Sequence, residues 1–282
     1  MIAGLVLFLA VDAVLVGVAL TASREAPTST VYIEPTQVPQ PTITPTPSAP
    51  AVVAIPVRRS LAVAGESTVW RAEGGSCAGA VAPLLQTSTD AGASWTDRDL
   101  SRYDVRQILA LSVRDANYGT AAVKVGDDCT LVGLRSYTSG RFWEQADEVL
   151  SDFTFLDPDD LSAVVVAGAR VPAPCAVPVD AATAADTALA LCDDGVAFSW
   201  DGATWAPLPA QPAALAVVAD GAAAEFALVG PDDCPTALGA RDDTGELTPR
   251  LCAPAPAAPG ATASVVAGEA TWLWAGDWFG GV

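Results

Sequence analysis

The pattern of hydrophobic and polar positions divides the chain into three parts. Residues 2–21 are apolar apart from Asp12 and a terminal Thr, and residues 24–56 show too little apolar periodicity for a core. Residues 57–282 contain short runs of β-branched residues, Ala and Leu, separated by Gly and acidic clusters. No window of this last part repeats apolar residues with a helical period. Many short strands with regular turn signals predict an all-β fold: a sandwich, a barrel or a propeller.

The N-terminal apolar segment predicts a transmembrane helix, a signal anchor in residues 1–23. Its length matches the roughly 20 residues that cross a bilayer. A cleaved signal peptide is the alternative, but such a peptide has a shorter apolar region after a basic start, and no Lys or Arg precedes Arg24. We expect a single-pass protein of the cell membrane, with the C-terminal domain outside the cytoplasm.

Asp12 lies in the middle of this predicted span, where a carboxylate is costly. One hypothesis is that Asp12 contacts a partner helix, since Ala13 and Gly17 form a stripe of small residues that permits close approach. The alternative is an Asp that the apolar neighbours tolerate.

Residues 24–56 predict a disordered stalk. They contain eight Pro and six Thr. Proline removes backbone donors and favours polyproline II, which makes such a segment a semi-rigid spacer.

Composition narrows the classes of function. The chain has 33 acidic and 14 basic residues and no His, with a formal charge of −19. A nucleic-acid binder needs a basic surface, so this class is excluded. Without His, the chain has neither a Ser-His-Asp triad nor the usual zinc ligands. Acid pairs such as those in residues 157–160 offer calcium ligands, but none has EF-hand spacing, and we interpret them as solvated turn residues. We predict no cofactor.

A turn motif recurs in the third part of the chain. Its first copy has the pattern S-x-D-x-G-x-x-W, with a degenerate second copy and a third copy shortened by one residue. The motif residues are Ser88, Asp90, Gly92 and Trp95; Ser136, Gly140 and Trp143; and Ser199, Asp201, Gly202 and Trp205. Asp in a tight turn accepts backbone N–H bonds, and Gly supplies a positive φ. The motif therefore predicts stapled β-hairpins.

These residues resemble the Asp-box (BNR-repeat) β-propellers, which include bacterial sialidases, sortilin-type receptors and the photosystem II assembly factor family. The resemblance implies a propeller in residues 57–282, with each motif in the hairpin between the third and fourth strands of a blade. Segment lengths predict about five four-stranded blades: 60–100, 105–148, 151–209 with an insertion near 171–187, 213–252 and 262–282. A strand from residues 52–64 would complete the last one.

Six cysteines, Cys77, Cys129, Cys175, Cys192, Cys234 and Cys252, predict disulfides in an oxidising compartment. They allow 15 connectivities. Cys175–Cys192 and Cys234–Cys252 would close short loops within single segments, and Cys77–Cys129 would then tie the first blade to the second. The other pairings remain open.

The function that we expect is binding or scaffolding at a bacterial cell surface, with the propeller as a non-enzymatic platform for a protein or a cell-wall glycan. The alternative is a surface glycoside hydrolase similar to sialidases. Against it, the Arg-Ile-Pro motif of that family is absent, and the acid pairs lie in turn-like contexts. Arginines and carboxylates clustered at the mouth of the central channel would favour the enzyme, and small residues there would favour the platform.

Overall fold

The computed structural model describes residues 58–79, 81–184, 186–208, 214–219, 226–230, 232–241, 247–254, 259–267 and 270–282. Apart from two short 3₁₀ helices, every regular element in this part of the chain is a β-strand. These residues belong to one compact unit, Ala54–Val282. The predicted anchor and stalk, with Asp12, Ala13 and Gly17, lie outside the described residues. No helix among the described residues is long and apolar enough to cross a membrane.

The strands form six consecutive antiparallel units, which we call blades 1 to 6. Blade 1 contains β1 (Arg59–Ala64), β2 (Thr68–Glu73), β3 (Leu84–Ser88) and β4 (Thr96–Asp97). Blade 2 contains β5 (Val105–Val113), β6 (Gly119–Val125), β7 (Thr130–Ser136) and β8 (Glu144–Gln145). Blade 3 contains β9 (Thr154–Leu156), β10 (Ala163–Val166) and β11 (Ala169–Pro172). The 3₁₀ helices, Ser101–Tyr103 and Asp147–Asp152, precede blades 2 and 3.

The second half repeats the arrangement. Blade 4 contains β12 (Pro178–Ala184), β13 (Thr187–Cys192), β14 (Ala197–Trp200) and β15 (Trp205–Pro207). Blade 5 contains β16 (Ala214–Ala219), β17 (Phe226–Val229), β18 (Thr236–Arg241) and β19 (Leu247–Ala253). Blade 6 contains β20 (Thr262–Ala267), β21 (Ala270–Ala275) and β22 (Trp278–Gly281). Parallel pairing of β16 with β20 joins blades 5 and 6 into one seven-stranded sheet.

The first strands of the blades form a closed ring. In chain order β1, β5, β9, β12, β16 and β20 each contact the next, and β20 contacts β1. Radial repetition of antiparallel sheets around a common axis is the architecture of a β-propeller.

The hydrophobic core is divided among the contacts between neighbouring blades. Trp70 of blade 1 packs with Ile108 and Trp143 of blade 2, and Phe226 of blade 5 packs with Leu191 of blade 4. Further clusters join each remaining pair of neighbours, including blade 6 to blade 1. A strand covered on both faces by neighbouring blades buries successive side chains rather than alternate ones, which explains the continuously buried run Gly119–Lys124 in β6.

Three details of the sequence-based blade assignment differ from the structure. The predicted third segment, 151–209, contains two blades, because the supposed insertion at 171–187 includes the end of β11 and all of β12. The described residues therefore form six units rather than five, and blades 3 and 6 have three strands rather than four. The predicted closing strand is also wrong for its described part, because β1 pairs with β2 of its own sheet. The Ala- and Thr-rich β12 has no clear apolar alternation, so its sequence resembles a linker.

Candidate functional site

The first S-x-D-x-G-x-x-W motif forms the turn between β3 and β4. The Ser88 hydroxyl accepts the N–H groups of Asp90 at 3.2 Å and Gly92 at 2.8 Å, and donates to Asp90 Oδ1 at 2.7 Å. Ser94 donates its N–H and its hydroxyl to the same carboxylate. The Ser94 and then the Ser88 hydroxyl bonds lower the pKa of Asp90 to about 2. The carboxylate thus organises its own turn rather than a ligand.

The second copy occupies the equivalent turn between β7 and β8 with different chemistry. The Ser136 hydroxyl accepts the N–H of Thr138 at 3.2 Å and of Gly140 at 3.0 Å. Thr138, in place of the Asp, accepts the Phe142 N–H at 2.8 Å. The Trp143 indole donates to the Gly140 carbonyl at 3.0 Å.

The third copy lies between β14 and β15. Asp201 Oδ1 accepts the N–H groups of Ala203 at 2.8 Å and Thr204 at 2.6 Å. Ser199 lies within β14, opposite Ala206 of β15. Ser88 and Ser136 are the last residues of β3 and β7, whereas Trp200 follows Ser199 in β14, so the third Ser lies one residue further from its turn. The Trp205 indole donates to the Pro172 carbonyl of blade 3 at 2.9 Å, so this Trp also contacts a neighbouring blade.

The aromatic residues of the last strands lie in the contact between blades 6 and 1. Trp272 and Trp274 are buried, and Phe279 stacks on Trp272 and meets Trp95 edge-on at 5.0 Å. The Arg71 guanidinium lies 3.9 Å from the centre of the Trp95 ring. These rings therefore pack blade 6 against blade 1, with Trp272 and Trp274 buried in that contact.

The central channel contains two cavities. The first, of about 90 Å³, is lined mainly by Ala, Leu, Ser and Thr of the first strands, with Arg58, Arg59, Asp152 and Asp180 among them. The second, of about 440 Å³, lies where the first strands end and is lined by Val63, Val113 and Val266, with Arg114, Tyr118 and Asp152.

Most of the charged groups that line these cavities contact a partner within the protein; Asp152, which lines both cavities, is the exception among the described residues. Arg58 donates to the Val179 carbonyl at 2.9 Å and lies 4.0 Å from Asp180. Burial lowers the pKa of Arg58, and the charge of Asp180 opposes this shift. Arg59 binds Glu73 at 3.2 Å. The guanidinium of Arg114 lies over the Tyr118 ring at 3.9 Å.

Other residues that a sialidase-type site would require do not converge on either cavity. Each of the following arginines pairs with carboxylates outside the cavities: Arg106 with Asp104 and Asp127, and Arg135 with Glu144 and Glu148. Among the described residues, neither cavity combines an arginine cluster with two free carboxylates.

The acid pairs that suggested calcium are engaged with cations of the chain. Asp159 pairs with the buried Lys124, and Arg170 binds Asp157 at 2.8 Å and Asp160 at 2.7 Å. In the described ranges, no three His, Cys, Asp or Glu side chains are grouped to hold a metal ion.

The disulfides are Cys77–Cys129, Cys175–Cys192 and Cys234–Cys252. This is the predicted connectivity, and the first bond joins blade 1 to blade 2 across 52 residues of sequence.

One surface feature was not predicted from the sequence. Phe142, in the second motif turn, is 51% exposed, and the guanidinium groups of Arg102 and Arg141 lie 5.4 and 5.9 Å from its ring centre. Arg98 packs against the same turn beside Gly140. Burial and then the charge of Arg141 lower the pKa of Arg98. We call Arg98, Arg102, Arg141 and Phe142 the Phe142 patch.

No signal in the sequence joins these residues, because the contact depends on tertiary structure. Tyr103, in the 3₁₀ helix before blade 2, accepts the Trp143 N–H on its hydroxyl at 2.8 Å, although 40 residues separate the two in sequence. This bond brings the helix that carries Arg102 beside the turn that carries Phe142.

No family model matches the chain, and no curated protein matches it. Among solved structures, YCF48 bound to D1 peptide is similar with 15% identity, over 78% of this chain and 76% of that chain, at a TM-score of 0.38. YCF48 from Cyanidioschyzon merolae is similar with 11% identity, over 78% of this chain and 79% of that chain, at a TM-score of 0.37. TM-scores below 0.5 carry no argument about this chain, and the fold assignment rests on its own strand pairing and ring of contacts.

Proposed function

We propose that this chain is a non-enzymatic binding protein that presents a six-bladed propeller of the Asp-box type as an interaction platform. The observation that carries the proposal is the pairing of charges at the central channel. Arg58 and Asp180 neutralise one another, and Arg59 binds Glu73. A retaining or inverting glycosidase needs two carboxylates, of which one holds a proton and the other acts as nucleophile or base. Two carboxylates line the first cavity, Asp152 and Asp180, but Asp180 lies 4.0 Å from Arg58 and serves as its counter-ion, which leaves only Asp152 for such a role there.

The same platform is proposed to lie outside the cytoplasm, held by the predicted anchor in residues 1–23 and spaced from the membrane by residues 24–56. Three disulfides with no free cysteine among the described residues support this location, because disulfides persist in oxidising compartments. Protease digestion of intact cells tests it: the C-terminal domain is expected to be cut while a cytoplasmic marker stays intact. Protection of the domain would contradict the proposed orientation.

Two measurements on the full chain test the binding role. The chain is crosslinked in the native cell and then recovered in detergent, and we expect a reproducible partner that survives stringent washing. The same preparation is expected to release no fluorophore from a fluorogenic sialoside or from a panel of aryl glycosides. Turnover that disappears in an Asp152→Asn variant would overturn the proposal and establish the hydrolase.

A further inference from the structure

The Phe142 patch concentrates unpaired positive charge on a protein with a net charge of −19. Among the described residues, Arg98, Arg102 and Arg141 form no ion pair within 4.0 Å, whereas Arg106, Arg135 and Arg170 each pair with two carboxylates. The nearby Asp99 accepts the Ser101 N–H at 2.9 Å. Its hydrogen bonds with Ser101, and to a smaller extent the charge of Arg102, lower the pKa of Asp99, but Asp99 and Arg102 form no ion pair within 4.0 Å. The patch is therefore a local exception to the charge of the molecule.

Repulsion between neighbouring guanidinium groups of the patch raises the free energy of the unbound protein, and an anionic partner would remove that repulsion. Arg98 and Arg141 repel each other across the turn, and this repulsion contributes to the lowered pKa of Arg98. An anion between them would replace repulsion with attraction. Phe142 adds an exposed apolar ring, since it is 51% accessible to solvent.

The arrangement of the guanidinium groups selects the kind of anion. A ring that stacks on a sugar needs a free face, but the Phe142 ring already has Arg102 and Arg141 over it. A guanidinium that stacks on an aromatic ring is held in place by the ring, and its N–H edge remains free. This edge can donate two parallel hydrogen bonds to the two oxygens of a carboxylate. The remaining edge of the ring offers a contact for an aliphatic side chain.

Resting on the proposed function, we propose that the Phe142 patch docks an acidic peptide segment of a protein partner, in which Asp or Glu carboxylates bind Arg102 and Arg141 and an apolar side chain packs on Phe142. The aromatic surface continues in the same turn, where Tyr137 is 56% exposed and meets Tyr118 edge-on at 5.2 Å, beside the mouth of the second cavity. An extended segment along this surface would thus find further apolar contacts.

Fluorescence anisotropy of the full chain in detergent tests the assignment. The probe is a labelled synthetic peptide in which Glu alternates with Gly around two Leu residues, and the matched peptide has Gln in place of each Glu. We expect the Glu peptide to bind more tightly than the Gln peptide, and the difference to shrink as salt rises from about 0.05 to about 0.5 M, because exposed charges are screened.

Variants locate the site. Arg102→Gln with Arg141→Gln is expected to weaken the Glu peptide roughly tenfold, since each lost exposed ion pair accounts for a few-fold change. Arg102→Lys with Arg141→Lys keeps the charge but not the two parallel bonds, and is expected to lose part of this affinity. The matched control is Arg250→Gln, which removes an exposed arginine from β19 in blade 5 and is expected to have no effect. An unchanged melting temperature of each variant shows that the fold is retained.

Three outcomes would overturn the inference. One is equal affinity of the wild-type chain for the Glu and Gln peptides, or no binding of either. Another is an equal loss in the Arg250→Gln control. A third is tighter binding of a heparin oligosaccharide at equal charge, which would assign the patch to an anionic glycan. None of these results bears on the sialoside assay or the crosslinked partner, so failure of the patch and failure of the proposed function are distinguishable.

Discussion

Replacing Trp143 by Ala is expected to cost far more stability than the same change at Trp205, although both are the Trp of a motif turn. Trp143 is 7% exposed and meets Trp70 of blade 1 edge-on, with ring centres 5.8 Å apart. Trp70 is itself fully buried. Trp143 therefore acts as a wedge between two blades, whereas the Trp205 ring remains partly in solvent.

The magnitude follows from burial. Truncating a buried Trp to Ala removes its transfer free energy and leaves a cavity, for about 3–5 kcal/mol. A half-buried ring loses roughly half of the transfer contribution, so Trp205→Ala is expected to cost about 2 kcal/mol. Edge-to-face contact adds about 1 kcal/mol of coupling between Trp70 and Trp143.

Equilibrium urea denaturation of the oxidised full chain, followed by far-ultraviolet circular dichroism, measures both variants. A double-mutant cycle with Trp70→Leu isolates the coupling between the two rings. If Trp205→Ala destabilises the chain as much as Trp143→Ala does, the role of Trp143 between the blades is refuted. A coupling near zero would refute the specific contact with Trp70.

Three further predictions concern the turns and the disulfide between blades. Gly92→Ala is expected to lower the urea midpoint by the equivalent of about 1–3 kcal/mol, because Gly92 has φ 81° and a Cβ there would overlap the Phe279 ring. Replacing Cys77 and Cys129 by Ser is expected to cost about 4 kcal/mol, the chain entropy that a loop of 52 residues regains on unfolding. Because the folded pKa of Asp90, about 2, lies below its ordinary value of 3.8, its stabilisation is present above pH 3.8 and is lost as the pH falls towards 2. The melting temperatures of the wild type and Asp90→Asn should therefore converge on acidification.

Each of these predictions has an outcome that contradicts it. An unchanged midpoint for Gly92→Ala would show that the turn and the Phe279 ring can shift freely. If the variant with Cys77 and Cys129 replaced by Ser is as stable as the wild type, the disulfide adds no restriction to the unfolded chain beyond residual contacts between blades 1 and 2. If the difference in melting temperature between the wild type and Asp90→Asn stays constant down to pH 2, the ionised carboxylate does not stabilise the turn. Asp201→Asn provides a matched comparison in a similar turn.

The parts of the fold that depend on neighbours in sequence could be predicted well. The turn of Ser88, Asp90 and Gly92 closes within four residues, so its residue types are sufficient to specify it. Cys234–Cys252 spans 18 residues within blade 5, and Cys175–Cys192 spans 17 residues from the segment before β12 to the end of β13. The proximity of both pairs follows from hairpin geometry. The position of Ser199 was less predictable, because in the shortened copy a further strand residue, Trp200, separates this Ser from the turn.

The candidate site was predictable only as an exclusion. The absence of His and the turn-like context of the acids argued against catalysis before any coordinates. The sequence could not show that Arg58 lies beside Asp180, since these residues belong to different blades. Nor could it show that Asp157 and Asp160, in the loop between β9 and β10, bind Arg170 of β11, so that a cation of the chain engages both carboxylates.

The amino-acid sequence by itself determined the all-β class, the motif turns and a workable disulfide connectivity, because periodicity, Asx-type hydrogen bonds and short loops are local properties. Only the tertiary structure decided the number of blades, the closure of the ring and the Phe142 patch. β12 is recognisable as a strand only when β13 and β9 lie beside it, and β1 turns out to pair with β2 while β20 merely packs against it. In the patch, the hydrogen bond between Tyr103 and Trp143 joins the 3₁₀ helix to a turn 40 residues later in sequence, a contact that no local sequence pattern specifies.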